Sequence, residues 1–289
     1  MAPQPLKHTV LAAFAAACLL TVAAAQQPRI LVQGHRGARA ERPENTIPAF
    51  EYAISHGVDV LELDVSVTKD NVLVVSHDPV LETPVCSGPE NKVLIRTLTL
   101  AEIRRWDCGK LKNPQFAKQV PVPGTRMPTL DEVFALAPRG NFEFNVETKI
   151  SPKRPELAPP PEEFARLVFD QIRKHKLEKR VILQSFDFRT LIAMRKLAPE
   201  VRLSALTSND PRDFAAITAE AANAEIISPH FHLVTPEKVA AAHKAGIQVV
   251  PWTADDPAEW ERLIAAKVDA IITDDPVALL AYLKAKGLH

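Results

Sequence analysis

Residues 33–78 read QGHRGARAERPENTIPAFEYAISHGVDVLELDVSVTKDNVLVVSHD, and the way this stretch divides decides the fold. Val58–Val65 is a β-branched, apolar run with the look of a buried strand, and Val72–His77 is a second one. Only six residues, Ser66–Asn71, separate them. That is too short for the crossover a parallel pair requires. Asp70-Asn71 supplies a turn, so the second run is expected to fold back as a hairpin on the first. With the turn centred near residues 69 and 70, His77 is expected opposite Glu62, within reach of Glu62 and Asp64. Upstream, Asn45–His56 starts polar, carries Pro48 in its first turn and stops at Gly57, the signature of a helix.

Moving outward, further short apolar runs alternate with amphipathic segments to the end of the chain. Strands are expected at Ile30–Gly34, Asn141–Lys149, Val181–Phe186, Arg202–Leu206, Glu225–Ser228, Ile247–Trp252 and Ala270–Thr273. With the two above they make nine, and setting the hairpin strand aside leaves eight. Eight parallel strands separated by helices describe a (β/α)8 barrel, which needs about 250 residues. The 289-residue chain has room for one such domain, residues 26–289. From Asp78 to Pro138 the alternation lapses into proline-rich sequence holding Cys86 and Cys108. A long irregular stretch inside a compact domain is usually functional, so an insertion of about residues 79–128 is read as a cap beside the active site.

Lys plus Arg equals Asp plus Glu at 35 each, so no global field favours nucleic acid or anionic membrane. Any affinity for phosphate must be local. Lys7 and His8 precede an apolar run, Thr9–Ala25, that ends Val-Ala-Ala-Ala before Gln26. This pattern reads as a cleavable signal peptide over residues 1–25, implying a periplasmic or secreted protein with no stable membrane anchor after cleavage. Export leaves Cys86 and Cys108 as an even pair in an oxidising compartment, where a disulfide is expected.

Glu62 and Asp64 sit two apart on a strand and point to one face. Two inward carboxylates are costly unless a cation lies between them. Glu147, late in another strand, supplies a third. Three carboxylates without thiolate or imidazole suit one hard divalent cation, Ca²⁺ or Mg²⁺. The plainer alternative pairs these acids with Arg36 and Lys149 as structural ion pairs. His35 and His77 each close a strand beside the acids, and two imidazoles can serve as general acid and base. Arg36 and Lys149 put positive charge where a phosphoryl group would sit. Glu44 could orient Arg36 or His35, and Trp252 offers an apolar face to the substrate's alcohol part.

His35-Arg36-Gly37, Pro43-Glu44-Asn45-Thr46, Glu62-Leu63-Asp64-Val65, His77-Asp78, Glu147-Thr148-Lys149, Trp252-Thr253 and Ile271-Ile272-Thr273-Asp274 occur in the order seen in glycerophosphodiester phosphodiesterases. The resemblance spans essentially all of the chain after residue 25, and it implies a TIM barrel of the phospholipase-C-like phosphodiesterase type. It also implies hydrolysis of glycerophosphodiesters, small-molecule substrates, to sn-glycerol 3-phosphate and an alcohol. Carried over by position, His35 and His77 become the acid–base pair, and Glu62, Asp64 and Glu147 the metal ligands. Arg36 and Lys149 become phosphate contacts. Thr148 departs from the family's usual branched apolar residue without removing a catalytic group. Two other readings use the same barrel: a lysophospholipid or sphingolipid phosphodiesterase, and a non-catalytic exported binding protein.

Overall fold

The structure is a computed structural model that describes Met1 and residues 29–289, so the expected signal peptide lies outside the described residues. Eleven strands are described: β1 (Leu31–Gly34), β2 (Val60–Val67), β3 (Leu73–Val75), β4 (Val80–Leu81), β5 (Val93–Leu94), β6 (Glu143–Thr148), β7 (Val181–Ser185), β8 (Arg202–Thr207), β9 (Ile226–Pro229), β10 (Gln248–Val249) and β11 (Ala270–Thr273). Nine of them form one sheet, in which eight follow the order β10-β9-β8-β7-β6-β2-β1-β11 with all pairs parallel and β3 is added at β2. The two ends of that order meet through Asp269 N→Val249 O (3.0 Å), Ile272 N→Pro251 O (2.9 Å) and Ala254 N→Ile272 O (3.1 Å), which closes the barrel. Pro251 has no N–H to give, so at this seam it takes part through its carbonyl alone.

Alternation along the strands sorts their side chains into two layers. Residues such as Val32, Leu61, Leu63, Val146, Leu183 and Leu203 face outward and pack with Phe50, Phe134, Phe164 and Leu191 of the surrounding helices. Fully burying a large apolar side chain contributes about 1.5–3 kcal/mol, so this outer layer carries most of the stability. The opposite parity points into the barrel. There Leu31, Ile182, Ile226, Val250, Ala270 and Ile272 form a separate apolar plug.

The hairpin is present, with β3 antiparallel on β2. Its register differs by one residue from the expected one. Val65 faces Val75 and Val67 faces Leu73, and Ser76 N donates to Asp64 O at 3.0 Å. The turn is centred on Asp70, because Thr68 and Val72 bond reciprocally (Thr68 N→Val72 O 3.0 Å, Val72 N→Thr68 Oγ1 2.9 Å) while Asn71 takes a left-handed φ of 59°. Asn is among the few non-glycine residues that visit this region routinely.

Beyond β3, residues 79–127 build a small unit of their own. β4 and β5 pair antiparallel, and Leu81, Ile95, Ile103, Trp106 and Met127 pack around a Cys86–Cys108 disulfide. The unit is anchored to the loop after β1, where Val120 N donates to Glu41 O (3.0 Å) and Gln119 Nε2 to Arg39 O (2.8 Å).

Candidate active site

The side chains singled out in the sequence converge at the C-terminal ends of β1, β2 and β6 and the end of the hairpin. They border a cleft of about 230 Å³. One wall is polar, formed by His35, Arg36, Arg39, Glu62, His77, Glu147 and Gln184. The other is apolar, formed by Phe186, Leu206, Trp252 and Ile272. Asp64, Lys149 and Glu44 lie behind the polar wall.

The loop after β1 is bent tightly enough to aim its backbone at the acids. A Cβ on Gly34 would sit 2.1 Å from the carbonyl oxygen of Gly37, so only glycine fits the end of β1. Arg36 takes a φ of 51°, and its N–H donates to Glu62 Oε2 at 2.9 Å. Asn45, also left-handed at φ 55°, donates from Nδ2 to Asp64 Oδ2 (2.9 Å) and accepts from Asp64 N (3.3 Å). Both acids of β2 are thus held by a loop that the Pro-Glu-Asn-Thr motif shapes. Thr46 then caps the helix Ile47–His56, accepting from Ala49 N.

Glu62, Asp64 and Glu147 each bring a carboxylate oxygen to within 4.8 Å of the others. All three are buried, at 2%, 1% and 7% exposure. Burial, aided by the Asp64 charge, raises Glu62 well above the ordinary carboxylate range. Burial likewise raises Glu147, against the pull of Lys149. Asp64 goes the other way: burial opposes its ionisation, yet Lys149, His77 and Arg36 together hold it low. Its Oδ1 still has no hydrogen-bond partner among the described residues. A buried anionic oxygen without a donor, facing two carboxylates that resist ionising together, is what a divalent cation with oxygen ligands would resolve. The donor set fits such an ion.

The fixed cations are engaged as well. Arg36 Nη1 donates to Glu44 Oε1 (2.7 Å), and its Nε lies 3.4 Å from Asp64 Oδ2. Lys149 Nζ contacts Glu147 Oε1 (2.7 Å) and Asp64 Oδ1 (3.6 Å) and does not line the cleft. The ion-pair reading of these acids and the cation-site reading therefore coexist. Glu44 orients Arg36 and not His35, and it reaches a second guanidinium as well, Arg39 Nη2 at 3.1 Å. Arg39 also stacks on Phe116 of the inserted unit, 4.7 Å from its ring centre.

His35 Nδ1 donates to Asp274 Oδ1 at 2.5 Å, leaving Nε2 on the cleft side, 4.0 Å from Glu62 Oε2. Burial holds His35 below its ordinary value despite the Asp274 charge. His77 is one-third exposed and pairs through Nδ1 with Asp78 Oδ1 at 2.8 Å. Trp252 donates from Nε1 to Ser228 O (2.9 Å) and packs edge-on against Phe186 and His230.

Four residues here escaped the sequence reading: Arg39, Gln184, Phe186 and Asp274. Asp274 stood in a recognised motif without a role. Gln184 was detectable as an amide within the otherwise apolar run of β7. Nothing local distinguishes Arg39 or Phe186.

The model of the glycerophosphoryl diester phosphodiesterase family matches residues 35–278. The chain is 35% identical to the glycerophosphodiester phosphodiesterase of Caldanaerobacter subterraneus subsp. tengcongensis, over 90% of this chain and all of that one. A solved structure from Silicibacter pomeroyi superposes with a TM-score of 0.83 at 31% identity, covering 90% of this chain and 95% of the other. A phosphodiesterase from Oleispira antarctica, solved with the product sn-glycerol-3-phosphate, shares the fold (TM-score 0.76, 22% identity, 89% and 97% covered).

Proposed function

From the premise that this chain belongs to the glycerophosphoryl diester phosphodiesterase family and is a hydrolase of glycerophosphodiesters, we propose that two histidines and one divalent cation do the work. The observation that carries the proposal is the cluster of Glu62, Asp64 and Glu147 beside two Asp-paired imidazoles in one cleft. Glu62, Asp64 and Glu147 would hold Ca²⁺ or Mg²⁺, which would supply positive charge to the phosphoryl oxygens. Arg36 and Arg39 line the cleft and keep N–H donors beyond those that meet Glu44, enough to fork onto a phosphate. Lys149 adds charge from behind the acids.

His35 is assigned as the general base. Its Nδ1–H is committed to Asp274, so Nε2 presents a lone pair, and burial disfavours the charged ring. It takes the proton from the nucleophile, either the substrate's own 2-hydroxyl or a water. His77, closer to solvent, returns a proton to the departing alkoxide. A mutually aligned base and acid contribute about 10²–10⁴-fold each.

A cleft of about 230 Å³ is below the roughly 300–1,000 Å³ of sites for drug-sized ligands. That supports a deacylated, water-soluble diester, with Phe186 and Trp252 against its carbon skeleton. The buried Cys86–Cys108 disulfide supports action in the periplasm or outside the cell. A panel of glycerophosphocholine, glycerophosphoethanolamine and lysophosphatidylcholine tests the substrate class. Release of glycerol 3-phosphate from the first two, with the lysolipid cleaved far more slowly, is expected. Preference for the lysolipid would overturn it.

A further inference from the structure

Between the apolar plug and the catalytic end, the barrel interior holds a layer of amides and hydroxyls that the proposed chemistry does not use. Gln33 of β1, Asn145 of β6 and Gln184 of β7 are 2%, 1% and 1% exposed, in a position where barrels usually carry Val, Ile or Leu. Asn145 Nδ2 donates to Gln33 Oε1 (2.9 Å) and to Gln184 Oε1 (3.0 Å). Gln184 Nε2 then donates to Glu62 Oε1 at 2.8 Å. Beside them, Ser204 and Ser228 bond to each other at 2.8 Å and stand outside this chain of contacts.

We infer that Asn145 and Gln184 are positioning residues for the divalent cation, acting through Glu62. This inference rests on the cation assigned above. The direction of the chain follows from valence. An ionised Glu62 can only accept, so Gln184 must turn Nε2 towards it and Oε1 away. That carbonyl needs a donor, and the Nδ2 of Asn145 supplies it while its second N–H is held by Gln33. Asn145 thus commits its amide hydrogens to this chain of contacts although its own Oδ1 has no partner among the described residues. Together with the Arg36 N–H on Oε2, the Gln184 bond fixes both oxygens of Glu62 and leaves the remaining lone pairs free for the ion. Groups that orient a metal ligand in this way typically contribute 10–100-fold to metal affinity.

The test is calorimetric titration of the metal-stripped full chain with Ca²⁺ and with Mg²⁺, without substrate. Gln184→Met keeps the side-chain volume and removes the donor, and the dissociation constant should rise roughly 10–100-fold. Asn145→Leu leaves Gln184 in place and, without adding charge, removes the donors that hold its carbonyl, so the Gln184 amide is free to rotate away from Glu62. It should weaken binding to a similar degree, and it decides the matter if Gln184→Met does not fold. Ser204→Ala, in the same layer, should bind as wild type does. Undiminished affinity in a folded Gln184→Met or Asn145→Leu protein overturns the relay while leaving the cation site standing. Equal weakening in Ser204→Ala overturns it too. A wild-type protein that binds neither ion overturns the cation site itself.

Discussion

His35 Nδ1 stands 2.5 Å from Asp274 Oδ1, a contact between residues 239 apart in sequence that ties the end of β1 to the end of β11. It extends the β1–β11 pairing by a side-chain contact at the catalytic end of the barrel. Because the carboxylate fixes which ring nitrogen carries hydrogen, it also fixes which one faces the cleft.

Asp274→Asn should therefore lower kcat by about 10²–10⁴-fold, the range of a general base, with little change in KM. Steady-state kinetics on glycerophosphocholine, with circular dichroism to confirm folding, checks this. A near-normal kcat would remove Asp274 from the account.

The two histidines are expected to respond differently to the leaving group. Replacing the alcohol with p-nitrophenolate removes the need for a general acid. His77→Ala should then recover most of the roughly 10²–10⁴-fold loss it shows on a choline diester, and His35→Ala should not. The reverse pattern would exchange their roles.

The acid cluster makes the stability of the metal-stripped protein depend on pH in a definite direction. Burial raises Glu62 and Glu147 above their unfolded values of about 4.3. Each contributes stability that is fully present below that value and lost as pH rises through its folded value. The melting temperature of stripped protein should fall from pH 5 to pH 8, and Glu62→Gln should flatten that slope. Asp64, held low, contributes in the opposite sense and only in stronger acid. A wild-type slope unchanged by Glu62→Gln would contradict the assignment.

The disulfide spans 22 residues and lies in the core of the inserted unit. On the loop-entropy model its loss should cost about 3 kcal/mol. Denaturant unfolding of a Cys86→Ala/Cys108→Ala protein measures this. An unchanged midpoint would mean that the unit holds together through Ile95, Ile103 and Trp106 alone.

Most of the barrel was readable because its signals are local. Apolar runs, the six-residue Ser66–Asn71 link and the Pro and Gly punctuation all act within a few residues. His77 came out one residue off, because a turn's centre depends on which residue takes the left-handed conformation, and Asn71 decided that. The carboxylates and histidines were legible because ionisable groups at strand ends are costly without a purpose. Asp274, Arg39 and Gln184 were not, since their roles exist only once distant strands become neighbours. An amide in a buried strand was the one available sign for Gln184, and Gln33 and Asn145 repeat it on neighbouring strands of the barrel interior.

The central claim is that hydrolysis at this cleft depends on a divalent cation held by Glu62, Asp64 and Glu147. The direct measurement is release of glycerol 3-phosphate from glycerophosphocholine by EDTA-stripped protein as Ca²⁺ or Mg²⁺ is added back. Turnover should be absent in EDTA and restored by at least one of the two ions, with no restoration in Glu62→Gln. Full activity in excess EDTA would contradict the claim.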